Sequence, residues 1–466
     1  MSQTINFGID LGTTNSVIAR CVEGRAELFR NPMSMKETLP SVVAYRKKRI
    51  LVGDKAREYL ERDPHNVVGS FKRKMGTAER FYIKSLDKEV SPVDLSAEVV
   101  KELKNFVHTG EKVEAAVITI PASFDTVQSN ATRQAGHQAG LSHVTLLQEP
   151  IAASLAFVNK HDHDDELQDG RWLVYDLGGG TFDVALVNVD EGEMKVTDHE
   201  GDNFLGGTDF DALIVEKLVV PYMEKEGTFA DLVNEMKSAS GKYNRLFFQL
   251  VHKAEEAKIQ LSSYPSADIE FEVEDDEGEL HDIYMTIERA QFEALIAPFV
   301  EETAGMIQKI LVRNELSEED IQFVLMVGGS TYIPYVRQKI ETDLGIRVNC
   351  DIDPTTAVGL GAAHYAATRT WKKSKIDLTK KTSAASASQK IQVKMAYQKT
   401  TQELEEYFVA QLTGNLDGVF YRIKRQDGGF DSGLEKAEPR IEEDLPLVEN
   451  TFNYFTLYFY DTKGDM

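Results

Sequence analysis

The sequence predicts an α/β protein made of two related halves, followed by a small module that is mostly β. From Ile5 to about Thr370, short apolar runs alternate with amphipathic stretches, which indicates buried strands interleaved with helices. A segment of strand, turn and strand near the start is echoed far along the chain, which indicates an internal duplication. After Thr370 the composition changes, and apolar and polar residues alternate as in strands with one buried face.

Length and composition indicate a globular protein of more than one domain. The chain has 466 residues, 42% of them hydrophobic and 27% charged, whereas a typical domain has roughly 100 to 200 residues. No stretch approaches the roughly 20 apolar residues that a membrane-spanning helix needs. The start, MSQTINFGID, lacks the basic and apolar regions of a signal peptide. We therefore expect a cytoplasmic protein that does not interact with membranes.

The net charge and the cysteines argue against a nucleic-acid-binding protein, a disulfide-rich protein and a cysteine zinc site. The formal net charge of −24 disfavours attraction to nucleic acid or to an anionic membrane, so no nucleic-acid partner is expected. The two cysteines, Cys21 and Cys350, are far apart and form no CxxC pair, which disfavours a disulfide framework and a cysteine zinc site. Each is expected to be a small core residue.

The domain boundaries follow from the change in composition. We expect an α/β domain over residues 1–371, a polar, Ser/Ala-rich linker over 372–390 and a β-rich module over 391–466. A β-sandwich is one arrangement that fits the module, and the turn signals NLDG, QDGG and TKGD separate its strands. The segment TTQELEEYF also has a helical rhythm, so its structure stays open. The chain stops at a turn after TLYFYD, as though a partner strand were missing, so we expect either a truncated chain or a much-modified domain.

The internal echo consists of two hairpins of like design. INFGIDLGTTNSVIA and RWLVYDLGGGTFDVALV superimpose so that Asp10 and Gly12 fall on Asp176 and Gly178. Each segment has a strand, a turn with glycine and threonine, and a second strand. The echo predicts a duplicated fold whose halves face each other across a cleft.

The turns of both hairpins suit phosphate groups. A GxxxxGK[ST] loop is absent, and no GxGxxG opens a helix after a strand, so phosphates would be held in another way. Glycine permits a tight turn, and the neighbouring amides and hydroxyls can donate to phosphate oxygens from two opposite sides. The residues in these turns are Gly12, Thr13, Thr14, Asn15, Gly178, Gly179, Gly180 and Thr181.

Asp10 and Asp176 stand at matching points of the echo. Beside a polyphosphate they would be unpaired acids, so we expect them to hold the hydration shell of Mg²⁺, which prefers oxygen ligands and keeps several waters. For either motif alone, a tight hairpin with a capping aspartate explains the residues equally well. The two motifs together favour a site for ATP and Mg²⁺.

Seven motifs in a fixed order give the chain a specific resemblance. IDLGTTNS, FKRKMG, LLQEPIAASLAF, DLGGGTFDV, GDNFLGGTDFD, AEEAKIQLSS and VGGSTYIP occur in the order found in the heat-shock protein 70 (DnaK-like) family, over roughly residues 1 to 370. The resemblance implies an actin-like, ribonuclease H-like duplicated fold. It also implies an ATPase that converts ATP to ADP and phosphate.

The resemblance also implies catalytic roles. Lys72 is similar to the family lysine that reaches the γ-phosphate and the attacking water, and Glu149 is similar to the carboxylate that orients this water. Thr181 resembles the threonine that positions the water, and Asp183 would help with the water or with a monovalent cation such as K⁺. The residues alone also allow Lys72 to be a surface lysine and Glu149 to be an acid that stabilises a helix start.

The helix-like segment KAEEAKIQLSS is similar to the family's nucleoside-binding segment. Glu255, Lys258 and Ser262 are spaced i, i+3 and i+7, so they share one helix face and could meet ribose and base. A solvated charged face is the alternative that the spacing leaves open.

Two glycine pairs complete the expected nucleotide site. Gly328 and Gly329, at the end of the apolar strand FVLMV, would let the backbone approach the adenosine, and Ser330 follows them. Gly206 and Gly207 resemble the hinge at which one subdomain closes over the nucleotide.

Some features depart from the family pattern. Tyr332 stands where the family commonly has an arginine that stacks on adenine, and an aromatic ring can replace that stacking. Thr355 replaces an acid that is often present, so communication between domains could differ. The linker is long and polar where the family's linker is short and apolar, and the last module does not match the family's peptide-binding domain.

Two functions from different classes are compatible with these features. The first is an ATP-dependent chaperone in which hydrolysis changes the affinity of the β module for a polypeptide client, with a J-domain co-chaperone and a nucleotide exchange factor as implied partners. The second is a nucleotide-gated adaptor whose β module binds a dedicated protein partner. A sugar kinase would need a small-molecule pocket with a catalytic base, of which the sequence shows no independent sign.

Overall fold

The protein is described here by a computed structural model that covers residues 2–47, 49–60, 62–161, 167, 169–372, 391–396, 405–425, 429–448 and 453–460. The chain divides into two compact units, Met1–Ser374 and Lys375–Met466. Apart from Lys372, which ends a strand, the predicted linker lies outside the described residues.

The first half of the larger unit is built on a six-stranded sheet. Three consecutive strands, Phe7–Asp10, Asn15–Val22 and Arg25–Leu28, are antiparallel, and Leu39–Pro40 pairs with the second of them. Two further strands, Ala115–Ile120 and His143–Gln148, join in parallel on the side of Phe7–Asp10.

The second half repeats this arrangement. Its sheet has three consecutive antiparallel strands, Gly170–Leu177, Phe182–Asp190 and Glu193–Asp202, and two strands that join in parallel on the side of the first, Val324–Val327 and Val348–Asn349. Order and direction are therefore the same in both sheets, which confirms the duplicated α/β fold that the echoing hairpins predicted.

The inner parallel strands are apolar because both of their faces are covered. Ala115–Ile120 (AAVITI) and Val324–Val327 (VLMV) are buried at every position. Strands of this kind appear as continuous hydrophobic runs rather than as alternating patterns. The polar residues that follow these strands in sequence therefore lie at one edge of each sheet, where the strands end.

Two helices, Glu149–Lys160 and Ala357–Ala367, join the halves. One hydrophobic cluster contains residues of both helices and of both sheets, among them Val117 and Leu325. The helices cross very closely at Gly361, where an added Cβ would lie well inside 3.0 Å of the carbonyl oxygen of Ala152. A side chain at this position would push the two helices apart.

The other elements extend these two layers. The short strands Ser2–Thr4 and Thr370–Lys372 pair with each other, so the two ends of the larger unit meet. The remaining elements of the first half are the strands Val42–Arg46, Arg49–Val52, Val67–Gly69, Phe81–Ile83 and Lys88–Val90, the helices Asp54–Leu60, Pro92–Asn105 and Thr126–Gln138, and the 3₁₀ turns Pro64–Asn66 and Phe71–Lys74.

The insertions of the second half are mainly helical. They comprise the helices Gly207–Ile214, Val220–Glu226, Leu232–Lys237, Asn244–Leu261, Arg289–Arg313 and Pro334–Leu344, the π-helical turn Val215–Val219, the hairpin strands Ser266–Glu274 and Leu280–Glu288, and the 3₁₀ turns Glu318–Asp320 and Gly329–Tyr332.

The smaller unit contains two three-stranded sheets around one core. Its first sheet has the order Gln392–Ala396, Glu405–Thr413, Arg440–Pro446, and its second has the order Glu435–Lys436, Phe420–Arg425, Phe455–Tyr460. Phe408 and Leu412 of the first sheet and Tyr421 and Ile423 of the second belong to the same hydrophobic cluster, as in a β-sandwich. The part of TTQELEEYF that is described lies in a strand, and its start lies outside the described residues.

Two expectations about single features have different outcomes. Cys21 is buried, but Cys350 is exposed, so the expectation that both are core residues was wrong for Cys350. A short polar segment after the strand Val348–Asn349 carries Cys350 to the surface. None of the helices in the described ranges is long and apolar enough to cross a membrane.

The helix crossing gives a test of the fold. We expect Gly361→Ala to lower the free energy of unfolding of the larger unit by about 2 to 3 kcal/mol, because the new methyl group overlaps the backbone of Ala152. Denaturant unfolding followed by tryptophan fluorescence measures this change, since both tryptophans, Trp172 and Trp371, are buried in the larger unit. Gly305→Ala is the matched control, because Gly305 is also helical but has open space around its Cβ position. The control should be stabilising by roughly 0.5 kcal/mol, and equal effects of the two variants would contradict the close crossing.

Candidate functional site

The turn of the first hairpin connects Phe7–Asp10 to Asn15–Val22 and is held by serine side chains. The amide of Gly12 donates to Oγ of Ser16 at 3.1 Å, and Oγ of Ser41 donates to the carbonyl of Gly12 at 2.8 Å. The amide of Ser41 also donates to the carbonyl of Thr14 at 2.7 Å. The turn is thus fixed from the strand side, while Asn15 is exposed.

The turn of the second hairpin lies directly against the first. A Cβ added to Gly179 would lie 2.7 Å from Cβ of Thr14, and one added to Gly180 would lie 2.5 Å from Cγ2 of Thr13. Only glycine permits this approach, which explains why the second turn has consecutive glycines. The two predicted phosphate-binding turns therefore meet, one from each half.

The predicted hinge segment also contacts the second turn. The amide of Gly207 donates to the carbonyl of Gly178 at 3.0 Å, and the amide and hydroxyl of Thr208 both donate to the carbonyl of Gly179 at 2.7 Å. Gly206 immediately precedes the helix Gly207–Ile214. The start of this helix is consequently tied to the glycine-rich turn.

A buried ion pair lies at the centre of the site. Nζ of Lys72 donates to Oε1 of Glu149 at 2.7 Å, and Lys72 is only 5% exposed. Glu149 begins the helix Glu149–Lys160, whose first turn is favoured by Pro150, a residue without a backbone N–H. Lys72 is therefore not a surface lysine, and Glu149 is both a helix-start acid and the partner of Lys72.

Three aspartates share the electrostatic environment of this pair. Burial raises the pKa of Asp10 to about 6 and that of Asp183 to about 7, and the charge of Glu149 adds to both shifts. Burial also raises the pKa of Asp176 well above its usual value. Burial opposes the charged form of Lys72, but the carboxylates of Glu149 and Asp10 raise its pKa. One lysine thus faces four acids, which leaves an excess of negative charge.

Two hydroxyls that the sequence interpretation missed orient these aspartates. Thr119 donates to Oδ1 of Asp10 at 2.9 Å, and Ser123 donates to Oδ1 of Asp183 at 3.1 Å. Thr119 lies near the end of the buried strand AAVITI, which is the parallel neighbour of the strand that ends at Asp10. Polar residues where neighbouring parallel strands end were the signal that could have found both.

The helix Asn244–Leu261 places its charged residues against other protein groups. Lys258 is buried, and its Nζ donates to the carbonyl of Gly207 at 2.8 Å and pairs with Oδ1 of Asp211 at 2.6 Å. Glu255 forms an ion pair with Arg57 of the first half, and Ser262 donates to the carbonyl of Lys258 at 3.2 Å. The alternative of a fully solvated charged face is wrong for Lys258.

Residues 328–330 pack on the second hairpin. Gly328 has a φ of +83°, and a Cβ there would lie 2.5 Å from Oδ1 of Asp176. Ser330 donates to the carbonyl of Gly178 at 2.9 Å. The carbonyl of Thr181 accepts from the amide of Gly178 at 3.0 Å. The strand end at Val327 is therefore joined to the glycine-rich turn.

The two departures from the family pattern contact the same acid. The hydroxyl of Tyr332 donates to Oδ1 of Asp353 at 3.2 Å, and the amide and hydroxyl of Thr355 donate to the same atom at 2.8 and 2.6 Å. The guanidinium of Arg337 lies 5.4 Å from the centre of the Tyr332 ring. Tyr332 is 44% exposed. An arginine, Arg337, is thus present beside Tyr332, although position 332 itself does not carry the arginine that is common in the family.

Comparison with known proteins assigns the larger unit to a family. A family model described as "Hsp70 protein" matches residues 6–383. Proteins named Chaperone protein DnaK are similar: that of Mycoplasma mobile is 39% identical over 362 residues (77% of this chain and 57% of the relative), that of Thermoplasma acidophilum is 38% identical over 366 residues (77% and 57%), and that of Thermotoga maritima is 38% identical over 366 residues (77% and 59%). The chain therefore spans less than two thirds of the length of these relatives.

The family match covers most of the chain and includes both echoing hairpins, the Lys72–Glu149 pair and the segments that pack on them. It confirms the resemblance that the seven motifs indicated and the actin-like fold that this resemblance implied. The chain belongs to the Hsp70 family.

Proposed function

We propose that the larger unit binds ATP together with Mg²⁺ and hydrolyses it to ADP and phosphate. The observation that carries this proposal is the meeting of the two hairpin turns, one from each half, beside the buried Lys72–Glu149 pair. Hydrolysis of a phosphoanhydride depends mainly on positioning and on neutralising charge, and this arrangement supplies backbone donors and a cation at one place.

The turns fit the phosphate groups of the nucleotide. Oγ1 of Thr14 is buried and, within the part of the chain that the structure describes, has no hydrogen-bond partner. A buried unpaired hydroxyl costs free energy, and a phosphate oxygen would satisfy it. The residues proposed to hold the phosphates are Gly12, Thr13, Thr14, Asn15, Gly178, Gly179 and Gly180.

The aspartates fit a hydrated divalent cation. Among the described residues, no group of three or more acidic, histidine or cysteine side chains is arranged to hold a metal ion directly. Burial and the neighbouring acids raise the pKa of Asp10 and Asp176, so a divalent cation beside them would favour their ionised forms. When bound, Mg²⁺ supplies positive charge to the phosphate oxygens. We propose that both aspartates hold it through its water shell.

The chain's own groups then act on the terminal phosphate and the water. Lys72 neutralises developing charge, and Glu149 keeps its ammonium group in place. Glu149, Thr181 and Asp183 orient the attacking water, and Asp183, whose pKa of about 7 lies near neutral pH, can take up its proton. Alternatively, Asp183 stays ionised and binds K⁺.

The nucleoside is proposed to lie between the helix Asn244–Leu261 and the segment after Val327. Lys258 is held by the carbonyl of Gly207 in the hinge segment, and Ser330 is held by the carbonyl of Gly178 in the glycine-rich turn. The exposed Tyr332 ring offers a face for adenine. The nucleoside-contacting residues would be Glu255, Lys258, Ser262, Gly328, Gly329, Ser330 and Tyr332, with Gly206 and Gly207 as the hinge.

We further propose that ATP turnover controls the affinity of the smaller unit for a polypeptide client, as in a chaperone. Membership of the Hsp70 family and the names of the DnaK relatives support this. A J-domain co-chaperone and an exchange factor would be partners on the same grounds. An adaptor with a dedicated protein partner is the second candidate, because the family match ends at residue 383, before the described strands of the smaller unit.

Lys72→Ala tests the catalytic assignment. We expect the single-turnover rate of ATP hydrolysis to fall by about 10² to 10³, because the charge beside the terminal phosphate is lost. Lys74→Ala is the control, since Lys74 lies on the same turn but pairs with Glu79 near the surface. A turnover of Lys72→Ala within a few-fold of the wild type would show that this lysine is not catalytic.

Asp183→Asn tests the buried charge by its pH dependence. The pKa of Asp183 is about 7 in the folded protein against 3.8 when exposed. Stability from its protonated form is therefore present below pH 3.8 and is lost as the pH rises toward 7. We expect Asp183→Asn to stabilise the ligand-free protein more at pH 8 than at pH 5, because the loss is only partly complete at pH 5. Denaturant unfolding at the two pH values measures this, and a gain of equal size at both would contradict it.

Peptide affinity separates the two candidate functions. We expect an unfolded model polypeptide to bind the full chain more weakly with ATP than with ADP, by about 5- to 150-fold, the usual range of coupling between sites. Fluorescence anisotropy of a labelled peptide measures both affinities, and Lys72→Ala allows the ATP state to be measured without turnover. Equal affinities would favour the adaptor.

A further inference from the structure

Arg73 lies where the two hairpin turns meet. It follows Lys72 on the turn Phe71–Lys74, and its side chain is 15% exposed. A Cβ added to Gly180 would lie 3.2 Å from Nε and 3.3 Å from Nη2 of Arg73, so the guanidinium lies against the backbone of Gly180. The same Cβ would lie 2.5 Å from Thr13 of the first turn. The guanidinium is thus at the junction of both turns.

Only part of this guanidinium has protein partners. Nη2 donates to Oδ2 of Asp209 at 2.9 Å, and the group lies 5.9 Å from the centre of the Phe204 ring. Nε is buried and has no hydrogen-bond partner among the residues that the structure describes. A buried N–H of a charged group is costly when it is not hydrogen-bonded, so this position favours an acceptor.

A second unsatisfied atom lies at the neighbouring glycine. Oγ1 of Thr14 is also buried without a partner in the described part of the chain, and it faces Gly179. Two potential donors, one from each side of the turn, are therefore unpaired at consecutive glycines. An oxyanion can accept from both, and guanidinium groups bind such oxygens strongly and with defined geometry.

Asp209 gives Arg73 a second role. It lies on the helix Gly207–Ile214 of the second half, and Arg73 belongs to the first half. Burial raises the pKa of Asp209, and the charge of Arg73 opposes this rise. One guanidinium can hold an acid through Nη2 and a phosphate oxygen through Nε, because each nitrogen carries its own N–H donor.

We propose that Arg73 binds a phosphate oxygen of the nucleotide through Nε and holds the cleft closed over that phosphate through Asp209. The proposal rests on the proposed nucleotide function of the site. It assigns to Arg73 a phosphate contact in addition to the positive charge that Lys72, paired with Glu149, supplies.

Binding of three probes to the full chain tests this contact. The probes are ATP, adenosine and inorganic tripolyphosphate, all with Mg²⁺, and calorimetry gives the affinities. We expect Arg73→Gln to lower the affinities for ATP and for tripolyphosphate by about tenfold and to leave the affinity for adenosine unchanged. Arg73→Lys should recover part of the loss. Lys74→Gln, on the same turn but paired with Glu79, should match the wild type for all three probes.

Asp209→Asn separates phosphate binding from closure. We expect it to retain the tripolyphosphate affinity and to speed ATP release several-fold in a stopped-flow chase. The proposal is overturned if Arg73→Gln leaves the affinity for ATP unchanged or lowers the affinity for adenosine as much as that for ATP. It is also overturned if Asp209→Asn lowers the affinity for tripolyphosphate as strongly as Arg73→Gln does. Wild-type binding of ATP, measured first, tests the proposed nucleotide function separately.

Discussion

The ion pair between Lys72 and Glu149 determines the charge balance of the cleft. Three further acids, Asp10, Asp176 and Asp183, are buried beside it; burial raises the pKa of each, and the positive charge of Lys72 limits this rise. A buried pair of this kind contributes little stability by itself, but removing one partner leaves an uncompensated charge. The fold therefore has to position the turn Phe71–Lys74 and the start of the helix Glu149–Lys160 accurately. Phe71 anchors the turn in the hydrophobic core of the first half, and the helix follows directly after the strand His143–Gln148.

The parts of this site that are local in sequence were predictable, and those formed by distant residues were not. The hairpins could be found because a strand, a turn and a strand are contiguous, so their repetition is visible in the letters. Lys72 and Glu149 are 77 residues apart, and only the family resemblance joined them. Glu255 was expected to meet the nucleoside, and its helical spacing could not show that Arg57 would be its partner. Tyr332 illustrates the same limit, because its hydroxyl donates to Asp353, which lies 21 residues further along the chain.

Two ion pairs connect the halves on either side of the cleft, Arg57 with Glu255 and Arg73 with Asp209. In each pair the side chains retain some exposure to solvent, so water and salt weaken their attraction. Contacts of this strength can break and re-form while the hydrophobic cluster between the helices Glu149–Lys160 and Ala357–Ala367 stays intact. The larger unit thus combines a permanent apolar connection with reversible polar ones.

The pairing of Ser2–Thr4 with Thr370–Lys372 has a consequence for synthesis on the ribosome. Ser2–Thr4 cannot pair with Thr370–Lys372 until about 370 further residues have been translated, which takes roughly 20 to 70 s at 5 to 20 residues per second. The strand Phe7–Asp10 also lacks a packing partner for almost as long, because Gly8 packs on the backbone of Ala363 in the helix Ala357–Ala367. During that interval the nascent first half exposes apolar surface, so a protein proposed to assist the folding of others would itself benefit from such assistance.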